Sequence, residues 1–297
     1  MPFPFPQASH TLVVAGIPQH FHVAGTGPCC IVHSGGPGIE SGYLRMPLLE
    51  AHLTMVYLDP IGTGASGRLP THPMGYSVDR FADQLLALID AMGVHRPYLL
   101  GHSHGAFVVL EAALRRPDAV AGLLLHAGAA STGEGFMAAA AARIDDFVRR
   151  HRDTPDAESV RAAWNGLPAI RSDADYTAAL QGLLPAYFSD PVRAADVLAA
   201  LRRTLHATFP VGDAAPFDVR DRLGRLTTPT LVMAGRDDFI LGPEYADALT
   251  EHLPDARQVL FEHSGHFAHL EEPEAFAKAV LDFVASTRGD YRPESQR

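Results

Sequence analysis

Residues 97–115 read Pro97-Tyr98-Leu99-Leu100-Gly101-His102-Ser103-His104-Gly105-Ala106-Phe107-Val108-Val109-Leu110-Glu111-Ala112-Ala113-Leu114-Arg115. The apolar run 97–100 has the length and character of a buried strand, and 106–115 has the period of a helix. Between them stands Gly101-His102-Ser103-His104-Gly105, of the form G-x-S-x-G. Serines between glycines are common, so the setting carries the information. A strand, a sharp turn and a helix can hold a serine exposed at the carboxyl end of a sheet, ready to act as a nucleophile. So tight a turn leaves no room for a Cβ at either flank, which is what the two glycines supply.

Outward from this unit the same alternation repeats. Short aliphatic or β-branched runs predict strands at 11–14, 19–23, 29–33, 54–58, 97–100, 122–125, 230–234 and 258–261, the first two joined as an antiparallel hairpin through Gly16-Ile17-Pro18. Helical periodicity marks 77–92, 106–115, 243–251 and 273–286; in the first of these Val78, Phe81, Leu85, Leu88 and Ile89 fall on one face. Strands alternating with helices predict an α/β fold, a mostly parallel eight-stranded sheet flanked by helices. Between residues 131 and 218 the strand signal vanishes, and Ala-rich amphipathic pieces at 136–151, 159–166, 175–184 and 191–205 take over. They predict a helical cap inserted after the sixth strand, with 1–130 and 219–297 as the core and 131–218 as the lid. The polar end, 289–297, is expected to fray.

Composition narrows the function classes. A chain of 297 residues with 47% hydrophobic and 20% charged residues is no disulfide-stapled scaffold, collagen, coiled coil or disordered chain. The 34 acidic residues against 24 basic give a formal charge of −10, a field that repels a polyanion, and no basic patch overrides it. Nucleic acid is therefore not an expected partner. The two cysteines, Cys29 and Cys30, are adjacent in a predicted strand and point to opposite faces, which suits free thiols in a reducing compartment. The start MPFPFPQASH lacks the charged and apolar regions of a signal peptide, and no apolar run is long enough to cross a bilayer. A cytoplasmic location, away from membranes, is expected.

A serine hydroxyl is a poor nucleophile at neutral pH and needs a base. In this architecture the partners follow in the order serine, acid, histidine. His266, in His263-Ser264-Gly265-His266-Phe267 directly after the eighth predicted strand, fits best, with His263 and His269 as rivals. The acid must orient the imidazole and stabilise its protonated form. Gly235-Arg236-Asp237-Asp238 follows the seventh strand; Asp238 is preferred and Asp237 expected to cap a turn or face solvent, while the sixth strand ends in His126-Ala127-Gly128 with no carboxylate. Asp59, before Pro60, reads as a structural turn residue.

A tetrahedral oxyanion needs two backbone N–H donors aimed at one point. His104, after the nucleophile, is one; the other belongs to the loop His33-Ser34-Gly35-Gly36-Pro37-Gly38, where Gly36 is favoured over Gly35 and Pro37 has no N–H. The loop has neither glycine pattern of a phosphate cradle. No metal or cofactor is expected, because the histidines show no H-x-x-x-H pairing and a serine triad supplies its own nucleophile.

On these residues the sequence resembles the α/β-hydrolase superfamily along nearly its whole length, the insert matching that family's cap. Gly35-Gly36-Pro37-Gly38 and Asp59-Pro60-Ile61-Gly62-Thr63-Gly64-Ala65-Ser66 resemble the proline iminopeptidase branch, whose loops read H-G-G-P-G and D-x-x-G-x-G-x-S. The resemblance implies Ser103, Asp238 and His266 as the triad, with Gly36 and His104 as oxyanion donors. Ser34 stands where that branch has histidine, and the cap has none of that branch's tryptophan-rich acidic motif, its single tryptophan, Trp164, standing alone. Serine at the elbow separates the chain from dehalogenase and epoxide hydrolase relatives, which carry aspartate there.

The leading expectation is a serine hydrolase working by acyl transfer, most like an aminopeptidase releasing an N-terminal aminoacyl group from a small molecule or short peptide. Its free amine would need a carboxylate from the cap or the oxyanion loop. Glu134, which follows the sixth strand and is expected to lie nearest the elbow, is the first candidate among Glu134, Asp145, Asp146, Asp213 and Asp218. An esterase, lactonase, amidase or carbon–carbon bond hydrolase would use the same nucleophile, and a non-enzymatic ligand receptor on the same fold is the remote alternative.

Overall fold

The structure, a computed structural model, describes residues 3–211 and 216–289. Among these residues eight strands form one sheet: β1 (Ser9–Val14), β2 (Ile17–Ala24), β3 (Cys29–His33), β4 (Thr54–Leu58), β5 (Tyr98–His102), β6 (Gly122–His126), β7 (Thr230–Gly235) and β8 (Ala256–Phe261). The helices are α1 (Pro47–Glu50), α2 (Val78–Met92), α3 (His104–Arg115), α4 (Phe136–Arg150), α5 (Pro155–Gly166), α6 (Asp173–Leu183), α7 (Ala195–Thr204), α8 (Arg220–Leu223), α9 (Pro243–His252), α10 (Ala268–Glu271) and α11 (Pro273–Gly289).

The strand order is β1-β2-β4-β3-β5-β6-β7-β8. β2 is antiparallel to β1 and to β4, and every later pairing is parallel. The hairpin turns at Ala15 and Gly16, both at positive φ, and Ile17 and Pro18 already pair with Val14 and Val13. The turn expected at Gly16-Ile17-Pro18 is therefore one residue too far along. A two-residue loop with both residues left-handed matches the twist of the strands it joins.

Strands β3 to β7 are almost wholly buried on both faces, which is why they read as largely apolar runs. Ile31, Leu99, Leu123, Leu125 and Val232 pack in one layer with Phe81, Leu85 and Ile89 of α2, Val108 of α3 and Leu249 of α9. Cys30, Val32, Leu100, Leu124 and Met233 face the other layer, with Leu49 of α1 and Phe276, Val280 and Phe283 of α11. Each such side chain contributes about 1.5–3 kcal/mol by leaving water, so these two layers fix the sheet's register. Cys29 and Cys30 are both free, Cys29 packing toward the first layer and Cys30 buried in the second. Burial pushes the Cys29 thiol up to about 12 and the Cys30 thiol higher still, so neither carries a thiolate near neutral pH.

From β3 the chain crosses to β4 on one side and returns to β5 on the other. The carboxyl ends of β3 and β5 thus flank the point where the winding reverses, where open sheets of this kind form their crevice. The chain leaves the sheet after β6 and returns at β7, with Ser131 and Asp218 bridged side by side where it departs and comes back. Between them lie α4 to α7. Ala140, Ile144 and Phe147 of α4 pack with Val160, Leu183 and Phe239, and Leu198 and Leu201 of α7 pack with Leu180, Leu184 and Phe267. Asp213 and the polar end from residue 290 lie outside the described residues. No helix among the described residues is long and apolar enough to cross a membrane.

Candidate active site

Ser103 sits between the last residue of β5 and the first of α3, at φ 55° and ψ −122°. Side chains rarely adopt this backbone, and it persists only where the surroundings impose it. Its N–H donates to the carbonyl of His126 at 2.9 Å, and its carbonyl accepts from Ala106 N–H at 2.8 Å. A Cβ on Gly101 would stand 2.3 Å from the Gly105 carbonyl oxygen, and one on Gly105 would stand 2.3 Å from that of His33. Both glycines are thus required by close packing of the turn on itself and on β3.

His266 lies in the loop between β8 and α10, its N–H donating to Tyr187 of the cap at 2.7 Å. Its Nδ1 is 2.7 Å from Oδ2 of Asp238, and both residues are buried. With the ring proton on Nδ1 facing the carboxylate, Nε2 is left as an acceptor. Oδ1 of Asp238 accepts from the N–H groups of Ile240 and Leu241 at 2.9 and 3.0 Å. Burial pushes this carboxyl up, but His266 and the two N–H donors outweigh it and hold it below the ordinary aspartate range. Asp237 is exposed and accepts from the Ser189 hydroxyl at 2.5 Å. His263 is exposed, and His269 is buried away from the crevice, its Nε2 donating to the Tyr43 carbonyl at 3.1 Å. Of the expected candidates and rivals, Asp238 is hydrogen-bonded to His266, and His266 lines the same cavity as Ser103.

Gly35 and Gly36 lie opposite the serine. The Gly35 N–H donates to the Tyr43 hydroxyl at 2.9 Å and is occupied. The N–H of Gly36, at φ 116°, makes no hydrogen bond among the described residues, and His104 opens α3, where the first amides have no partner within the helix. Ser34 closes this loop, its hydroxyl donating to Ile39 at 2.6 Å. Asp59 accepts from the Ser41 amide and hydroxyl at 3.1 and 2.8 Å, tying the turn after β4 to the loop after β3.

Gly36, Ser103, His104 and His266 open onto one cavity of about 250 Å³ beneath the cap. Its walls are Gly35, Ile39, Tyr43, His102, Phe107, Phe136, Met137, Trp164, Leu167, Tyr176, Leu180, Leu183, Leu184, Tyr187, Leu205, Phe239 to Leu241 and Phe267. No aspartate, glutamate, lysine or arginine is among the residues that line it. Burial lowers the imidazole of His104 to about 3, so that side chain is uncharged. The expected amine partner is corrected here. Glu134 is exposed and does not line the cavity, because it lies in the turn before α4 and faces outward. Asp145 and Asp146 pair on the surface with Arg161 and Arg149, and Asp218 pairs with Arg220. Among the described residues no group of three or more histidine, cysteine, aspartate or glutamate side chains is placed to hold a metal ion.

Sequence reasoning passed over Tyr43, Tyr187 and the cap residues of the wall. Their apolar stripes carry the same period as core helices, so nothing marked them as facing a cavity. It also passed over Glu271 and Glu272. Glu271 accepts from Gly265 and Ser189 N–H groups at 2.7 Å each, and Glu272 from the His263 amide and the Ser264 hydroxyl at 3.0 and 2.6 Å, so the two carboxylates clamp the His266 loop.

A family model described as the alpha/beta hydrolase fold matches residues 30–273. A Pseudomonas savastanoi protein named as the carbamate hydrolase RutD is 32% identical over 258 residues, covering 86% of this chain and 93% of its own. The 2-hydroxymuconate semialdehyde hydrolase of Pseudomonas sp. strain CF600 is 26% identical, covering 94% of this chain and 95% of its own. Among solved structures, the proline iminopeptidase of Mycobacterium smegmatis superposes with a TM-score of 0.67 at 25% identity, covering 94% of this chain and 98% of that one. With a family match running from the third strand to the start of the last helix, around a sheet of this order, the chain belongs to the α/β-hydrolase family.

Proposed function

We propose that the protein is a serine hydrolase that transfers the acyl group of a small, uncharged, largely apolar substrate to water: an ester, a lactone or a ketone cleaved at a carbon–carbon bond. Ser103 Oγ attacks the carbonyl carbon while His266 Nε2 takes its proton. The N–H groups of Gly36 and His104 hold the developing oxyanion, and Asp238 keeps the imidazole oriented and stabilises its cation. His266 then returns the proton to the leaving group, and water, activated by the same imidazole, releases the acyl group from Ser103.

One observation carries the reading over the aminopeptidase expectation: the cavity that contains Ser103 and His266 has no fixed charge in its walls. An ammonium enclosed there would lose its hydration without gaining an anion, which opposes binding strongly. The names of the relatives, a carbamate hydrolase and a semialdehyde hydrolase, favour hydrolysis of a small compound over release of an N-terminal amino acid. At pH 6 a free aminoacyl p-nitroanilide should be turned over at least about tenfold less efficiently, in kcat/KM, than its N-acetylated twin, because it must either bury an unpaired ammonium or shed its proton well below the ordinary α-amino value of about 7.7–8.0. Matched p-nitrophenyl esters should be hydrolysed by the wild type and not by Ser103→Ala. A preference for the free amine would return the aminopeptidase reading.

A further inference from the structure

His102 precedes the proposed nucleophile and is nearly fully buried. Its Nδ1 lies 2.7 Å from the Tyr43 hydroxyl, and its Nε2 lies 3.0 Å from the carbonyl oxygen of His266. The same Tyr43 hydroxyl receives the Gly35 N–H at 2.9 Å. These contacts fix the protons. A carbonyl can only accept, so Nε2 of His102 carries the hydrogen, and in a neutral ring Nδ1 is then the acceptor. The phenol, having accepted from Gly35, donates its own proton to that nitrogen. The result is one directed chain, Gly35 N–H to Tyr43 O–H to His102 Nε2–H to the His266 carbonyl. It joins the oxyanion loop, the elbow and the loop of the base.

The chain is enclosed by rings. His102 packs against His126 and Phe267 with ring centroids at 4.7 and 5.6 Å, and against the His266 ring at 4.6 Å. Tyr43 packs against Phe267 at 5.7 Å. A buried hydrogen bond is costly to leave unmade, so each link resists displacement of the next.

We propose that His102 is a positioning residue: through Tyr43 on one side and the His266 backbone on the other, it holds the oxyanion loop and the base at a fixed separation about Ser103. The inference rests on the serine hydrolase reading of the same site. Both ring nitrogens of His102 are taken up by Tyr43 and the His266 carbonyl, so its loss should impair the chemical step more than substrate binding.

The test uses the full chain, p-nitrophenyl butyrate turnover and the rate of Ser103 labelling by a fluorophosphonate. His102→Leu should lower kcat and the labelling rate by about 30-fold with KM within about twofold, since small misplacements of reacting groups cost one to two orders of magnitude. His102→Gln, which keeps a donor for the His266 carbonyl, should recover most of that loss. Tyr43→Phe should lower kcat about tenfold, and adding it to His102→Leu should cost little more, because both changes break one chain. Thermal unfolding of every variant separates lost chemistry from lost folding. If folded His102→Leu keeps kcat within about twofold, or if the two changes multiply, the positioning role is wrong while the hydrolase reading stands. If the wild type is neither labelled at Ser103 nor active on any ester, the hydrolase reading falls and this inference with it.

Discussion

Asp237 and Asp238 are neighbours in the chain and opposite in environment. Asp238 is buried with both oxygens engaged, one by His266 Nδ1 and one by two backbone amides, whereas Asp237 is exposed and bonded to Ser189. Orienting the imidazole therefore falls to Asp238. Asp238→Asn should lower kcat by about four orders of magnitude, as loss of the orienting aspartate does in serine triads, while Asp237→Asn should stay within about threefold of wild type. Steady-state kinetics on a p-nitrophenyl ester, with thermal unfolding as a control, checks both; a larger loss from Asp237→Asn would reverse the assignment. The carboxyl of Asp238 is held below its ordinary value, so its contribution to stability is complete above that value and is lost as pH falls through the lower one. At this scale the sequence preferred Asp238 without revealing what holds it. Position after the seventh strand picked out the pair of aspartates, but which one turns inward depends on the amides of Ile240 and Leu241, which no side-chain pattern reveals. His102 was invisible for the same reason: its partners are a backbone carbonyl and a tyrosine 59 residues away.

Elements show a similar division. β3 and β4 match their predicted limits because strands in the middle of the sheet, covered on both faces, read as largely apolar runs. β5 and β6 run on to His102 and His126, which pair across the sheet, and there the apolar signal stopped short of the ladder. α1, α8 and α10, four residues each, were missed because a single turn has no periodicity to read. The cap helices were placed by composition, yet how they join the core was hidden. Phe239 and Phe267, the residues just after Asp238 and His266, are shared with the cap's two apolar clusters, and Glu271 ties Gly265 to Ser189. Burial of Glu271, opposed by its two N–H donors and aided by the charges of Asp237 and Glu272, pushes its carboxyl up to about 7. A folded value above the unfolded one means that the group's stabilising contribution is greatest below the ordinary glutamate range and is lost as pH rises toward 7. Glu271→Gln should therefore show a flatter melting temperature between about pH 4.5 and pH 7 than the wild type does. Parallel curves for the two proteins over that interval would show that the carboxyl titrates at its ordinary value.

The whole molecule sets a formal charge of −10 around a cavity whose walls carry none. Such a field draws cations and repels anions at long range, and salt screens it, with the Debye length shrinking from about 30 Å at 0.01 M to about 8 Å at 0.15 M. An uncharged substrate feels no such steering and meets no charged wall on arrival. Its capture depends on desolvating apolar surface, which this range of salt hardly alters. For a neutral p-nitrophenyl ester, kcat/KM should thus stay within about twofold as salt rises over that interval, whereas a cationic aminoacyl ester of similar size should lose several-fold. The comparison isolates the field from the cavity, because both substrates present the same leaving group to Ser103. Steep salt dependence with the neutral ester would mean that a charged group acts in its binding, and would overturn the assignment of an uncharged site.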